Sequence, residues 1–528
     1  MTGVINDTNP VDVAVIGGGI NGLVAAALLA RTGRSVVLLE AATQTGGMAP
    51  TAAQLACGLP TSLIRRLKLK KHGLSLLGSH VGRVALDPDG RHIPLGGKGR
   101  AARRATREAI FHWSSRDAEA WDSITASLDR LRGALMPWVV GDAPHLHDLD
   151  RRQRVAWALQ LFRLRRQGRA ALQEVLQLLP SNVADFLDDR LETDILKGAL
   201  ALEATRSSRH GPRAPGSMLH WQWERALEQA GSAGTVQVAG GAKGLIAALR
   251  DAAMAAGADI RCSAPVTQLL IEDQTVLGVV LEHGEEIRAR CVVSAIDPRS
   301  TYLDLVGARH LDAGLVNNLR HQRPGGALGR ITLTLGRRPT IARLTDEMWA
   351  RRLMLAPSVP EVERASNAAK YDDLPDHPVA EITVPSVLDR NGLADGRELL
   401  TALVPFLPQH PRQGWSKARD LLAARVVKQL SAYAPDLPDL IEEISILTPE
   451  DMDPAGVGLS SWHHLDLAAD QLMGFRPVAE LGGHDRPIKG LILAGAGSHP
   501  GGGLNGRAAM RAVRDVLAGA GGSGHERS

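Results

Sequence analysis

Cysteine and aromatic residues are scarce in this chain: its 528 residues include 3 Cys, 3 Tyr and 5 Phe, and aromatics make up 3%. Cys57, Cys262 and Cys291 form no C-x-x-C pair, which excludes a disulfide framework, a zinc ribbon and a thioredoxin-like dithiol. So few cysteines fit a reducing compartment. Few aromatics leave little for base stacking, so nucleic acid is not an expected partner. No apolar run reaches the ~18–20 residues of a spanning helix. The first ten residues lack the charged start of a leader, and a cytoplasmic protein is expected. A large charge excess is also missing. Net charge is +4, with 51 Arg against 10 Lys, and the ratio by itself names no partner. No His/Cys cluster, H-E-x-x-H or Ser-His-Asp signature points to a metal or a nucleophile.

The composition that is present is ordinary for a globular protein, 44% hydrophobic and 22% charged. At roughly 100–200 residues per unit the length predicts about two to four folding units, with core enough to need no staples.

The N-terminal region carries the strongest local signal. Asp12 to Ile16 reads as a buried strand, followed by Gly17-Gly18-Gly19-Ile20-Asn21-Gly22, an Ala/Leu-rich helix to Arg31, and a second strand from Ser35 to Leu39 that ends on Glu40. This is β-loop-α-β with G-x-G-x-x-G in register and an acid 18 residues after the third glycine. Gly17 permits the tight turn, Gly19 lets backbone N–H groups approach a pyrophosphate, and Gly22 lets the helix pack on the strand. Glu40 would accept hydrogen bonds from the adenosine ribose and disfavours a 2′-phosphate. The Gly46-Gly47 pair after Glu40 and Ala41 suits an extended dinucleotide. No second strand–glycine loop–helix unit follows; Gly240-Gly241 and Gly325-Gly326 lack the preceding strand or the spacing, and Gly96-Gly97-Lys98 is no P-loop. One tightly bound nucleotide is the economical reading.

With these residues in view, the sequence resembles the phytoene desaturase-like flavoproteins, the carotenoid and retinoid oxidoreductases, and within them the branch of pyridine nucleotide-disulfide oxidoreductase domain-containing protein 2. The likeness runs through Gly17 to Glu40, Ser115 to Trp121, Ala184 to Asp188, Pro215-Gly216-Ser217, Gly240 to Leu249, Pro265-Val266, Val292 to Pro298, Arg476-Pro477 and Gly490 to Gly503. It implies an α/β fold: a discontinuous Rossmann-type FAD-binding domain (10–60, 235–305 and 455–520) with a mixed α+β substrate domain. That second domain would be mainly helical over 101–230 and mixed over 306–450, with 521–528 a flexible tail. FAD is the implied cofactor. Its implied contacts are Gly17, Gly18, Gly19, Ile20, Asn21, Gly22, Glu40, Ala41, Gly46, Gly47, Val266, Gly495, Ala496, Gly497, Gly503 and Leu504. Leu491 to Ala494 should be a strand, and Gly501-Gly502-Gly503 should open a helix from about Asn505 to Leu517, whose N-terminus would favour negative charge on reduced flavin.

Candidate catalytic residues are His499, in the C-terminal glycine-rich signature, and His464 and Asp466 in Trp462-His-His-Leu-Asp466. No metal is expected. Met48 stands where amine oxidases commonly carry Arg after the glycine pair, which lowers an amine substrate. The basic stretch Arg65 to Lys71 leaves room for an acidic substrate or partner. Between 151 and 169, seven Arg interleave with Trp157, Leu161, Phe162 and Leu164, the composition of either a solvated helix face or peripheral membrane contact. Three functions remain: hydride transfer between flavin N5 and an apolar, isoprenoid-like substrate; a flavin oxidase of another small molecule such as an amine; or a flavoprotein with a binding or regulatory role and a protein partner.

Overall fold

Short apolar strands build the first layer. β1 (Val11–Ile16) and β2 (Val36–Leu39) flank helix α1 (Ile20–Ala30) in the chain and lie parallel in the sheet. Val13, Ala14 and Val15 are wholly buried, as expected for a parallel strand covered on both faces. β1 also lies parallel to the end of β10 (Glu286–Ser294), β7 (Asp259–Arg261) adds beyond β2, and β16 (Leu491–Leu493) adds beyond β10. The start of β10 turns instead into an antiparallel ribbon with β9 (Thr275–Leu281), which pairs β8 (Val266–Glu272). Three distant stretches of chain therefore share one sheet. The structure, a computed structural model, describes residues 10–519 apart from 48–54, 79, 98, 142–153, 156–157, 160–161, 163–164, 167, 232–233, 391–392, 394–395, 454–457 and 483–485. Met48, the 521–528 tail and much of the 151–169 segment lie outside the described residues.

The second sheet runs β15 (Ile441–Leu447), β11 (Gly329–Leu335), β14 (Glu398–Val404), β13 (Ala380–Thr383), β12 (Arg352–Leu355), β4 (Arg83–Ala85) and β5 (Ile93–Leu95). β11 alternates buried Ile331, Leu333 and Leu335 with less buried Arg330, Thr332 and Thr334, the period of a sheet with one core face. That face packs on α7 (Trp415–Ser431) through Leu422 and Val426. Helices cover the other side: α3 (Ser115–Val140), α4 (Asp194–Thr205) and α5 (Ser217–Gln229). β4 and β5 were not foreseen from the sequence, since three-residue strands are too short to show a period. A small pair, β3 (Leu55–Cys57) with β6 (Thr235–Gln237), completes the strands among the described residues.

Helix α1 is apolar all round and sits between α6 (Gly241–Ala255) and α8 (Arg507–Leu517), with Leu23, Val24 and Leu28 against Leu245, Leu249 and Val513. Its alanines let the neighbours approach closely. This packing brings residues 20–30 and 507–517 together.

Candidate functional site

The main-chain ladder carries the glycine motifs to one edge. Gly17 N–H donates to Leu39 O at 2.8 Å, Ala295 N–H to Ile16 O at 2.8 Å, and Ala494 N–H to Ser294 O at 2.7 Å. The loops after β1, β2, β10 and β16 thus leave the sheet side by side at its carboxyl end, where doubly wound sheets bind ligands.

Each glycine of the first loop has a separate geometric reason. Gly17 is left-handed (φ 94°), and a side chain there would meet Ile296. A Cβ on Gly22 would lie 1.8 Å from Gly17 O, so the helix can ride on the loop only without one. A Cβ on Gly19 would meet nothing within 4 Å. That open cradle lies at the start of α1, whose first turn has no acidic residue and no side-chain cap, and Ile20 and Asn21 begin the helix. Free N–H groups at a helix N-terminus fit a pyrophosphate. Glu40, 9% exposed, accepts Gly18 N–H through Oε2 at 2.6 Å and Ala42 N–H through Oε1 at 2.8 Å. Gly46 N–H donates to Gly18 O at 2.9 Å, and Gly47 is left-handed beside Gly19. Ala264 N–H donates to Glu40 O at 2.9 Å, which holds Val266, at the start of β8, close to Glu40 and the exposed Ala41.

The C-terminal loop is equally constrained. A Cβ on Gly495 would lie 2.4 Å from Ile296 O, and one on Gly497 2.5 Å from Pro298 Cδ, so Gly495, Ala496 and Gly497 run against the residues that follow β10. Gly503 N–H donates to Trp462 O at 3.0 Å, and Leu504 packs on the core around α1. The helix expected from about Asn505 begins instead at Arg507, because Gly501, Gly503 and Gly506 all have positive φ and cannot join it. Asn505 Oδ1 accepts the Arg507 N–H at 2.9 Å, so this end of α8 is partly satisfied by its own chain. Ser498 Oγ, His499 Nδ1 and both ring nitrogens of His463 are buried without a hydrogen-bond partner among the described residues. Buried polar atoms left in this way beside an open glycine cradle are what a dinucleotide's polar edge would complete, and FAD fits.

The three candidate catalytic residues have different surroundings. His499 is fully buried; its Nε2 donates to Gly141 O at 3.3 Å, and its ring meets Trp223 edge to face at 6.1 Å. Burial first, then Arg511, pulls its pKa down to about 3, so it is neutral. His464 has left-handed backbone (φ 59°), and its carbonyl accepts Gly325 N–H at 2.8 Å. The imidazole at the glycine loop is that of His463, whose Nδ1 lies 3.6 Å from the Cβ position of Gly501. Burial lowers the pKa of both rings, that of His464 to about 4. Asp466 lies 3.7 Å from His220 Nδ1 and 3.9 Å from His210 Nε2, and burial raises its pKa. His220 Nε2 meets Ser207 Oγ at 3.1 Å, but that hydroxyl also donates to Glu224 and is 1% exposed, so the line holds no available nucleophile.

Sequence reasoning missed two features. Arg476, fully buried, donates to the carbonyls of Asp466 (2.9 Å), Gln471 (3.2 Å), Leu465 (3.2 Å), His463 (2.5 Å) and Ala496 (3.2 Å), tying the 463–466 turn to the C-terminal loop. Beside it, Arg83, Arg206, Arg225 and Arg352 interleave with Glu203, Glu224, Glu228 and Glu381 between α4, α5 and the β4–β12–β13 strands. Burial opposes ionisation of Glu228 and Glu381, but the surrounding guanidiniums outweigh it and lower both pKa values. The available signal was α5 itself, where His220, Glu224 and Glu228 recur every four residues on one helix face.

Comparison with known proteins agrees with this geometry. The family model described as flavin containing amine oxidoreductase matches residues 62–517, and that of the NAD(P)-binding Rossmann-like domain matches residues 15–73. Pyridine nucleotide-disulfide oxidoreductase domain-containing protein 2 of Rattus norvegicus is 28% identical over 96% of this chain and 93% of its own length. A limonene dehydrogenase chain of Castellaniella defragrans is 24% identical over 94% and 93%. A neurosporene-forming phytoene desaturase of Cereibacter sphaeroides is 26% identical over 51% and 50%. Among solved structures, a triple mutant of putrescine oxidase superposes with a TM-score of 0.60 at 13% identity, covering 96% of this chain and 99% of the other.

Proposed function

Because the chain belongs to the family of flavin containing amine oxidoreductases and is an FAD-dependent oxidoreductase, we propose that it exchanges a hydride between the flavin and a carbon–carbon bond of an apolar, isoprenoid-like substrate. The observation that carries this reading is that two sequence relatives are named for isoprenoid hydrocarbons, phytoene and limonene. The surroundings of the glycine loop support it. The Cβ position of Gly501 is walled by Leu467 (3.4 Å), Leu227 (3.8 Å) and the neutral ring of His463.

Bound flavin supplies a two-electron donor or acceptor at N5. The protein's own work is placement and proton handling. Gly17 to Gly22 and Glu40 would hold the adenosine and pyrophosphate. Trp223 donates its indole N–H to Pro500 O at 2.9 Å, which fixes the loop between His499 and Gly501. Asp466 is the carboxyl suited to hold a proton, since burial favours its neutral form and outweighs the opposing influence of His220, 3.7 Å away. Contact with a membrane through 151–169 would suit such a substrate. Of the described residues there, Val155, Leu159 and Phe162 are exposed beside Arg154, Arg165 and Arg166. Among the described residues no helix is long and apolar enough to cross a membrane.

Anaerobic mixing of the FAD-loaded protein with detergent-dispersed phytoene or limonene tests the reading. Bleaching of the oxidised flavin band is expected. Failure of both hydrocarbons, with prompt bleaching by putrescine or cyclohexylamine and peroxide on admitting air, would replace it with an amine oxidase.

A further inference from the structure

Along β11 the side chains alternate: Ile331, Leu333 and Leu335 enter the core over α7, and Arg330, Thr332 and Thr334 point the other way. The register carries that second face across the sheet. Arg330 lies opposite Leu403 of β14, and Leu403 opposite Glu381 of β13, so Arg330 and Glu381 share one face, two strands or roughly 10 Å apart. Glu381 pairs with Arg206, whose guanidinium lies over the Trp462 ring at 5.4 Å. The Trp462 carbonyl in turn holds the N–H of Gly503. The face that carries Arg330 is therefore the one turned toward the C-terminal glycine loop. Over β12 it is closed by helices, with Met354 packed among residues of α4. Over β14, Leu399 and Leu403 are half-buried and pack into none of the hydrophobic cores formed by the described residues.

Arg330 is the cation of this stretch. Its Nε is buried without a hydrogen-bond partner, and no ion pair among the described residues includes it. Burial lowers its pKa, and no carboxylate among the described residues stands close enough to oppose that. The arginines of the neighbouring strands differ: Arg352 meets Glu228 and Glu381, and Arg83 meets Glu203. The fold thus pairs the arginines buried in its packing and leaves Arg330 unanswered in a partly desolvated place, at a cost in stability. A carboxylate would answer it, since the planar fork of arginine matches two carboxylate oxygens bidentately. One guanidinium balances one negative charge, so a diphosphate would stay largely uncompensated here.

We propose that Arg330 anchors a carboxylate at one end of the substrate, whose apolar chain crosses Leu403 toward the glycine loop. The inference rests on the reading of an apolar, isoprenoid-like substrate and adds an acidic end to it. Arg330 then sets which apolar chains are accepted and how they are oriented, and the reacting carbons lie at the other end.

A matched pair of probes tests this: geranic acid and geraniol, one branched apolar chain ending in a carboxylate or in an alcohol. Each is titrated calorimetrically into FAD-loaded protein near neutral pH. Geranic acid should bind more tightly than geraniol by about tenfold or more. Arg330→Met should remove that preference by weakening the acid and leaving the alcohol unchanged. Arg330→Lys, which keeps the charge without the fork, should retain part of it. Arg65→Met on helix α2 (Thr61–Arg66), an exposed arginine elsewhere in the chain, should leave both affinities as they are. Thermal unfolding of the apoprotein gives a second readout. A guanidinium kept for a ligand contributes nothing to the empty fold, so Arg330→Met should melt no lower than the wild type. No saturable binding of the acid, equal affinities for acid and alcohol, an unchanged preference in Arg330→Met, equal loss in Arg65→Met, or a lower melting temperature in Arg330→Met overturns the proposal. The anchor and the reaction fail separately. Flavin bleaching by phytoene or limonene with no preference for the acid removes the anchor alone. A preference lost in Arg330→Met, with no bleaching by either hydrocarbon, removes the hydride reading alone.

Discussion

The carboxylate of Glu40 accepts the backbone N–H of Gly18 at 2.6 Å, and its second oxygen accepts that of Ala42 at 2.8 Å. One side chain thus shapes the glycine loop and the adenosine end of the site together. Glu40→Ala removes charge-assisted hydrogen bonds worth roughly 1.5–3 kcal/mol each, so FAD affinity should fall about ten- to a hundredfold. Glu40→Arg should be worse, because it adds bulk and the opposite charge. Fluorescence titration of FAD into apoprotein measures both, and unchanged affinity in both would show that the ribose contact is misassigned.

Gly19 and Gly22 are glycines for different reasons, and alanine separates them. Gly19 has φ −70° and ψ −179°, which alanine adopts without strain, and open space at its Cβ. Gly19→Ala should leave apoprotein stability nearly unchanged while weakening FAD at least about tenfold. In Gly22→Ala the added carbon meets Gly17 O at 1.8 Å, so the fold itself should lose about 1–3 kcal/mol or more. Thermal unfolding of apoprotein, run beside FAD titration, tells the two apart. A large loss of apoprotein stability in Gly19→Ala would contradict the cradle.

Burial holds several histidines neutral, which ties stability to pH. The pKa of His220 is drawn down to about 4 and that of His499 to about 3, against about 6.5 when unfolded. Both are depressed, so between pH 6.5 and 4 the unfolded chain binds more protons and stability must fall as pH falls. The slope is about 1.4 kcal/mol per pH unit for each such histidine. The stability is fully present above pH 6.5. Denaturant melts at pH 7, 6 and 5 should show this decline, and His499→Phe should reduce its slope by about 1.4 kcal/mol per pH unit, leaving the share of His220. A wild-type stability that is level across this range would mean that these rings are reached by water.

How much of this was legible in the sequence depends on whether the signal is local. The strand, glycine loop, helix and Glu40 lie within thirty residues of one another, so their spacing states the geometry directly. The start of α8 was misjudged because glycines that open a helix and glycines that delay one look alike until φ is known. Nothing in the spacing of Trp462 to Asp466 shows that His464 has left-handed backbone or that the ring of His463 lies beside Gly501. Apart from the four-residue repeat on α5, the contacts of Arg476 and of the eight alternating charges were hidden for another reason. Their partners lie on separate strands and helices between 83 and 496, and no one-dimensional spacing connects them.

The central claim is that four loops, from Gly17, Glu40, Ala295 and Gly495, converge to hold one FAD. Its most direct test is the absorbance spectrum of the purified protein, followed by identification of the nucleotide released on denaturation. A yellow protein that releases FAD, one per chain, is predicted. A colourless protein that also refuses added FAD, or one that releases FMN, would contradict it.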